Sequence, residues 1–260
     1  MGTPDLLRSL DAEPALPRLG GMARPNGVAI VSERFWAFAA TDGSLREGTM
    51  PAPPELVRQV PLVRGLARLG ASLSPLFRRT GAARGRERSL LVFALVAPLA
   101  FVFLPGRLAT PAGVAVTVLL LGVLLRGRAL HLHGAEHRAI AAAESRRLAD
   151  TWSGAARPSR ISQRCGTNFA AIAVPVTLAA DRLWPLPLAL YTPLVVLTLS
   201  LALSMELWLA LQRSSASLRR IVLMPGLLLQ RVTTREPRLE ETHVALAAVA
   251  SVLRRELELA

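Results

Sequence analysis

Lysine is missing altogether: all 31 basic residues of this 260-residue chain are arginine. Beside abundant alanine, leucine and proline, that one-sided usage reads as a GC-rich coding bias. A formal charge of +13 and a pI near 11.7 then say less about phosphate recognition than arginine normally would, and no nucleic acid is expected as a partner. Cysteine is almost absent too. The lone Cys165 excludes an intramolecular disulfide and is compatible with a reducing compartment. The opening MGTPDLLRSLDAEPALPRLGG is polar and proline-broken, without the apolar core of a secretory leader, which predicts an N-terminus that begins and stays in the cytoplasm. There is no internal repeat and no glycine-rich phosphate loop.

What the chain does have is apolar surface. Hydrophobic residues make up 52% of it and its mean hydropathy is +0.39, more than a soluble core requires, so a membrane protein is expected. Two uncharged runs, 89–105 and 108–125, are each long enough as helices to approach the hydrocarbon thickness of a bilayer, and read as a tight transmembrane hairpin. A third candidate, 168–180, is short and carries Pro175; it spans only with help from Gly166 and Thr167, or is re-entrant. The longest apolar stretch, 183–211, has Pro185, Pro187 and Pro193 near its start and Glu206 as its only charge. Of the 31 arginines, 29 lie in 1–88, 126–166 and 213–260, while Arg107 and Arg182 fall in the turns that four spans would place outside. The positive-inside rule therefore predicts both termini and the 126–166 loop in the cytoplasm.

The expected fold is a mainly α membrane protein with about four transmembrane helices and a small N-terminal cytoplasmic α+β element. Its divisions are a cytoplasmic α+β region at 1–88, the hairpin at 89–125, a cytoplasmic helical loop at 126–166, helices 3 and 4 at 167–211, and a cytoplasmic C-terminal region at 212–260. Within the first, 27–31 and 35–39 read as short strands followed by turn chemistry at Thr41-Asp42-Gly43-Ser44. From Glu55 the apolar positions Leu56, Val60, Val63, Leu66, Leu69 and Leu73 recur at helical spacing between arginines. Such a helix could lie on the inner leaflet or pack on the strands, and packing is favoured.

The central loop carries His133-Gly134-Ala135-Glu136-His137. Residues four apart share a helix face, so His133 and His137 can reach one cation with Glu136 beside them. The order His-x-x-Glu-His is the inverted form of a zinc-hydrolase motif in which the glutamate is a general base. The plain alternative is a polar, histidine-rich helix. Catalytic zinc takes three protein ligands, and candidates for the third are Cys165, Glu206 and Glu144. Glu144 lies on the same face but seven residues on, about 10.5 Å of rise, which suits support of a ligand or a neighbouring site better than shared ligation. Glu206 competes with a simpler role, snorkelling to the interface or pairing with Arg213. Gly20 and Gly21 are places where backbone can approach a ligand, although an ordinary turn needs glycine as well. Arg235 and Glu236 can pair with one another at the surface. His131 and His243 have no evident partner and are expected to be solvated.

These segments resemble the bacterial YqhQ-like membrane proteins, a group of unknown function described as metal-dependent enzymes. The resemblance rests on GGMARPNGV at 20–28, PLVRG at 61–65 with Arg64, HGAEHR with Glu144, RCGT at 164–167 with Arg164 and Thr167, Ser204-Met205-Glu206, and PGLLLQRVTTREP at 225–237 with Gln230, Arg231, Arg235 and Glu236. It implies a divalent metal ion such as zinc and a bacterial cytoplasmic (inner) membrane location. Two departures stand out: Met22 and Asn26 replace a glutamine and a glutamate, and Ser162-Gln163 replace a His-Pro pair before Arg-Cys-Gly-Thr. The leading expectation is a membrane enzyme, hydrolytic, metal-dependent, with its site at the cytoplasmic face. Beside the bilayer, its partner would be a lipid-linked molecule or a membrane protein's cytoplasmic segment. The rival is a non-catalytic membrane scaffold or assembly factor, which the altered positions favour. Transport is weaker, because four spans make a pore only by oligomerising.

Overall fold

Four strands, β1 (Gly20–Arg24), β2 (Gly27–Val31), β3 (Phe35–Ala40) and β4 (Leu45–Thr49), form an antiparallel meander in chain order. The computed structural model describes residues 2–78, 81–83, 127–185 and 191–259, with scattered positions between 84 and 126. Its helices are α1 (Thr3–Asp11), α2 (Glu55–Gln59), α3 (Val63–Phe77), α4 (Arg128–Glu144), α5 (Leu148–Trp152), α6 (Gly166–Arg182), α7 (Thr192–Arg213), α8 (Ala216–Val222), α9 (Met224–Thr233) and α10 (Leu239–Leu257).

The strand alternation of period two sorts the sheet's side chains onto two faces. Val28, Ile30, Phe35, Ala37 and Ala39 face one way, towards Leu132, Ala135 and Ala139 of α4 and Leu246, Val249 and Leu253 of α10. Ala29, Trp36, Phe38 and Ala40 face the other way and meet Leu76, Ala82 and Ala83. With both faces covered, β3 is buried from end to end, which is why Phe35-Trp36-Ala37-Phe38-Ala39-Ala40 carries no polar residue. The strands β1 and β4 were not expected. The first is glycine-rich and the second, Leu45-Arg46-Glu47-Gly48-Thr49, is an exposed edge, so neither shows the β-branched or alternating pattern of a half-buried strand.

Helix α10 is the second half of the core. Its Ala245, Leu246, Ala248, Val249, Val252 and Leu253 are buried at helical spacing. Glu240 and Glu241 in its first turn and Arg254 and Arg255 in its last oppose the helix dipole at each end. At the sheet's rim, Glu256 accepts from the Ser32 hydroxyl at 2.5 Å and pairs with Arg34.

The described residues do not build a bundle of about four transmembrane helices. Among the described residues only α7 is long and apolar enough to cross a membrane, with a mean hydropathy of 2.1 and 22% of its apolar window buried. Helix α6 is a 17-residue element with Pro175 inside it and Asp181-Arg182 at its end. The runs 89–105 and 108–125 lie, apart from scattered positions, outside the described residues. Nor is the α+β part a small N-terminal element, since α4 and α10, from the middle and end of the chain, supply the helical layer of its core. Helix α6 packs on α7 and α9, and with 17 residues and an internal proline it falls short of a full span.

The amphipathic stretch from Glu55 divides at Leu62, whose φ of 66° breaks it into α2 and α3. Helix α3 runs along α7, and only its end reaches the sheet, through Leu76. A Cβ at Gly65 would lie 2.9 Å from Met205 Cβ, so the close approach of α3 to α7 needs glycine there.

Candidate metal centre

Helix α4 presents His133 and His137 one turn apart on the same face, with ring centroids 4.6 Å apart and nearly perpendicular. Each Nδ1 is taken by a backbone carbonyl. His133 Nδ1 donates to Thr233 O at 2.9 Å and His137 Nδ1 to Arg160 O at 2.7 Å. With Nδ1 carrying the proton in both rings, both Nε2 lone pairs are left available, the arrangement by which proteins fix the tautomer of a metal-binding histidine. His133 Nε2 lies 3.3 Å from Cys165 Sγ, and His137 Nε2 is buried with no hydrogen-bond partner. One ligand atom from each of His133, His137 and Cys165 falls within 4.8 Å of the others, so the three can hold a metal ion. An orphaned buried imidazole nitrogen facing a thiol and a second imidazole is what a bound cation would satisfy.

Cys165 is placed by its position as the N-cap of α6. Its sulfur accepts from the Thr167 hydroxyl at 3.2 Å and the Thr167 backbone N–H at 3.5 Å. The loop before it is clamped by Gln230, whose amide accepts from Ser162 N–H at 2.9 Å and donates to Ser162 O at 2.8 Å. Asn168 donates to the same carbonyl at 2.9 Å. A Cβ on Gly226 would stand 2.3 Å from Asn168 Oδ1, so α9 reaches α6 only because that residue is glycine.

Glu136 flanks the cluster with 4% exposure. A Cβ on residue 21 would lie 2.6 Å from Glu136 Cγ; Gly21 on β1 therefore leaves room for the carboxylate rather than for a ligand. Burial pushes the Glu136 carboxyl up to about 8, against a hydrogen bond from the Ala23 backbone that favours the charged form. Burial likewise lowers His133, with the Thr233 carbonyl opposing it, and lowers His137 to about 4, helped by His133 and opposed by the Arg160 carbonyl. Cys165 is raised to about 11 by burial and the neighbouring Glu136, against its Thr167 hydrogen bonds. At neutral pH the metal-free cluster is thus two neutral imidazoles, a thiol and a carboxylic acid. A divalent cation displacing the protons of Cys165 and Glu136 leaves the set neutral, which suits a buried site.

The segment after α9 straps this arrangement together. Arg235 N–H donates to Leu130 O at 3.0 Å, and the Arg235 carbonyl crowds Gly134 so closely that a Cβ there would sit 2.1 Å away. The glycine of His-Gly-Ala-Glu-His is therefore a packing requirement. Arg138 donates to Glu236 at 2.6 Å, and Arg160 donates to the Thr234 carbonyl at 2.6 Å and to its hydroxyl at 2.9 Å. Glu236 pairs with Arg138 and with Arg160, not with Arg235. Thr233 and Thr234 lay within the 225–237 segment but were given no role, and Arg160 escaped the sequence reading. All three act through backbone carbonyls, which no side-chain pattern reports; Arg138, next to His137, offered the only hint.

Other candidates lie elsewhere. Glu144 is exposed and ion-paired with Arg164. Glu206 pairs with Arg64, whose Nε donates to it at 2.9 Å, and accepts from the Leu62 N–H at 3.1 Å, so it holds α3 on α7. Gly20 touches Val31 on the sheet, and Arg231 and the Arg235 side chain are exposed. His131 is bonded to Glu236 O at 2.8 Å, and His243 is bonded to Trp152 O at 2.8 Å and stacked on the Trp152 ring; neither is simply solvated. Met22 packs on the far face of the sheet, beside Trp36 and Phe38, so its difference from glutamine does not touch the cluster. Ser162 does border a cavity that His137 lines.

Residues 90–255 match the model of a family described as protein of unknown function (DUF1385). That is more than half of the chain, and the chain belongs to this family. No curated protein and no solved structure matches it. The matched stretch contains His133, Glu136, His137, Cys165 and Glu236, and leaves out Gly21 with the rest of the sheet.

Proposed function

We propose that this member of the DUF1385 family is a membrane-anchored, metal-dependent hydrolase with His133, His137 and Cys165 as ligands and Glu136 as general base. The observation that carries the reading is His137 Nε2: a buried nitrogen without a partner, fixed by its own Nδ1 bond towards a second imidazole and a thiol. A structural histidine would have both nitrogens satisfied.

Zinc or a similar divalent ion bound there would supply Lewis acidity, polarising the substrate bond and acidifying the attacking water. Glu136 would be the group that takes a proton from water and passes it to the leaving group, and a bound cation's charge would draw its carboxyl down from about 8. Burial keeps both imidazoles neutral, and the Thr233 and Arg160 carbonyls fix how the rings are turned. Thr167 directs the Cys165 sulfur.

The membrane anchor is α7. Leu194, Leu199, Leu203 and Leu207 are 51%, 46%, 46% and 41% exposed along it, a stripe that lipid would cover. Ile221, Met224, Leu228 and Val232 on α8 and α9 are exposed as well, beside Arg220 and Arg231, the pattern of helices lying at a bilayer interface. The arginine asymmetry of the chain favours the cytoplasmic side of a bacterial inner membrane, as does the resemblance to YqhQ-like proteins. The scaffold reading draws on the same strap of Arg138, Arg160, Gln230 and Glu236, which is structural.

Metal analysis of the full-length protein, purified in detergent without chelator, separates the two. The hydrolase reading expects about one divalent ion per chain, lost in the His133→Ala, His137→Ala double variant while the protein stays folded. A wild type free of metal would leave the scaffold.

A further inference from the structure

His137 also lines a cavity of about 360 Å³. Its wall is strongly cationic. Arg18 comes from the segment before β1, Arg164 from the loop before α6, and Arg219 from α8, with Gln212 of α7 and Ser162 beside them. Glu144 is the one carboxylate in the lining, and it is already paired with Arg164.

The cations are set in different ways. Arg219 is held in place, its Nε donating to Gln163 Oε1 at 2.8 Å and its NH1 to Gln212 O at 3.3 Å. Arg18 makes no ion pair or side-chain hydrogen bond among the described residues. Independently of charge, Gln212 Nε2 is a buried amide donor without an acceptor. A cavity with three guanidinium groups, one paired carboxylate and an orphaned donor lacks an acceptor-rich anion of about two negative charges. Because the chain has no lysine, guanidinium shape adds nothing here; the charge balance and the orphaned amide carry the weight.

We infer that this cavity binds the phosphate group of the substrate, so that the proposed hydrolase acts on a phosphate-bearing molecule. The inference rests on the metal-site reading only for the reacting end: a phosphate held by Arg18, Arg219 and Gln212 leaves the adjoining bond beside His137. The cavity lies at the Arg213 end of the apolar helix α7, where a lipid headgroup would arrive, and it also has room for a soluble phosphate ester.

The test is equilibrium dialysis of radiolabelled inorganic phosphate against the full-length protein in detergent, with metal content measured on the same samples. Wild type should bind phosphate saturably, and Arg18→Gln with Arg219→Gln should weaken binding about tenfold or more, as expected for two lost charge-assisted contacts. Arg18→Gln alone, at an exposed side chain with no ion pair or side-chain hydrogen bond among the described residues, guards against misfolding and should weaken binding measurably. The His133→Ala, His137→Ala variant should lose metal and still bind phosphate, which keeps failure of this inference distinct from failure of the metal site. Competition then identifies the source. Equal displacement by glycerol phosphate and by a short-chain phosphatidate marks a soluble ester, and a clear preference for the phosphatidate marks a headgroup. No saturable binding to wild type, or binding indifferent to Arg18 and Arg219, overturns the inference whatever the metal content.

Discussion

Gly21 and Glu136 share one space: a Cβ on the glycine would fall 2.6 Å from Glu136 Cγ and 2.7 Å from its Oε1. The sheet is thus part of the site, through Gly21 and the backbone of Ala23. Gly21→Ala should displace the carboxylate without touching the three ligands. Metal content should stay near wild type, while unfolding stability falls by about 1–3 kcal/mol, the usual cost of overpacking, and any assayed activity drops sharply. Denaturation in detergent alongside metal analysis checks this; unchanged stability would mean that the contact is easily relieved.

Thr167 touches the cluster only through sulfur. Thr167→Val keeps the shape, removes the hydroxyl donor and should weaken metal affinity by about 10–100-fold, the range seen when a group supporting a ligand is lost. Cys165→Ala should weaken it far more. Competition against a chelator of known affinity ranks the three proteins, and equal affinities would remove the thiol from the ligand set.

Metal-free stability should depend on pH through Glu136. Its carboxyl titrates near 4.5 when unfolded and at about 8 when folded, so between those values the native state holds the extra proton and stability falls as pH rises. His137, lowered from 6.5 to about 4, opposes this only below 6.5, where the unfolded chain takes up a proton that the folded ring refuses. From about 6.5 to 8 Glu136 acts alone. Glu136→Gln should therefore raise the Tm of the chelator-treated protein at pH 8 and change it little at pH 5. At about 1.4 kcal/mol per pKa unit the full effect is a few kcal/mol. Identical Tm profiles for the two proteins would refute the buried-carboxyl assignment.

Arg64 and Glu206 join α3 to α7. Either Arg64→Ala or Glu206→Ala should lower thermal stability in detergent, and a double-mutant cycle should return a coupling of about 0.5–3 kcal/mol. Metal content should not change in any of the variants. Loss of metal from Glu206→Ala would restore the glutamate as a ligand candidate.

Parts of the fold were legible because their signals are local. The short apolar runs 27–31 and 35–39, followed by turn chemistry, announced β2 and β3, and a long apolar stretch with a single charge announced α7. Helix α10 went unread as core because a mixed run such as Val244-Ala245-Leu246-Ala247-Ala248-Val249 looks the same beside a sheet as in any amphipathic helix. The four-span reading counted 168–180 as a span, where the chain makes a 17-residue helix with a proline inside it, and counted 89–105 and 108–125, which lie, apart from scattered positions, outside the described residues.

By itself the sequence determined which chemistry is available: a His133–Glu136–His137 spacing that puts two imidazoles and a carboxyl on adjoining sides of one helix, a single thiol, and an apolar segment ending at charged α8. Only the tertiary structure decided that Cys165 meets those imidazoles, that Glu144 and Glu206 do not, and that Gly21 and Gly134 are there to admit neighbours. It also decided the tautomers, through the carbonyls of Thr233 and Arg160. A carbonyl is present at every residue, so its use as an acceptor leaves no mark in the sequence, and contacts between residues 100 positions apart are fixed by how sheet, α4 and α9 pack rather than by any spacing along the chain.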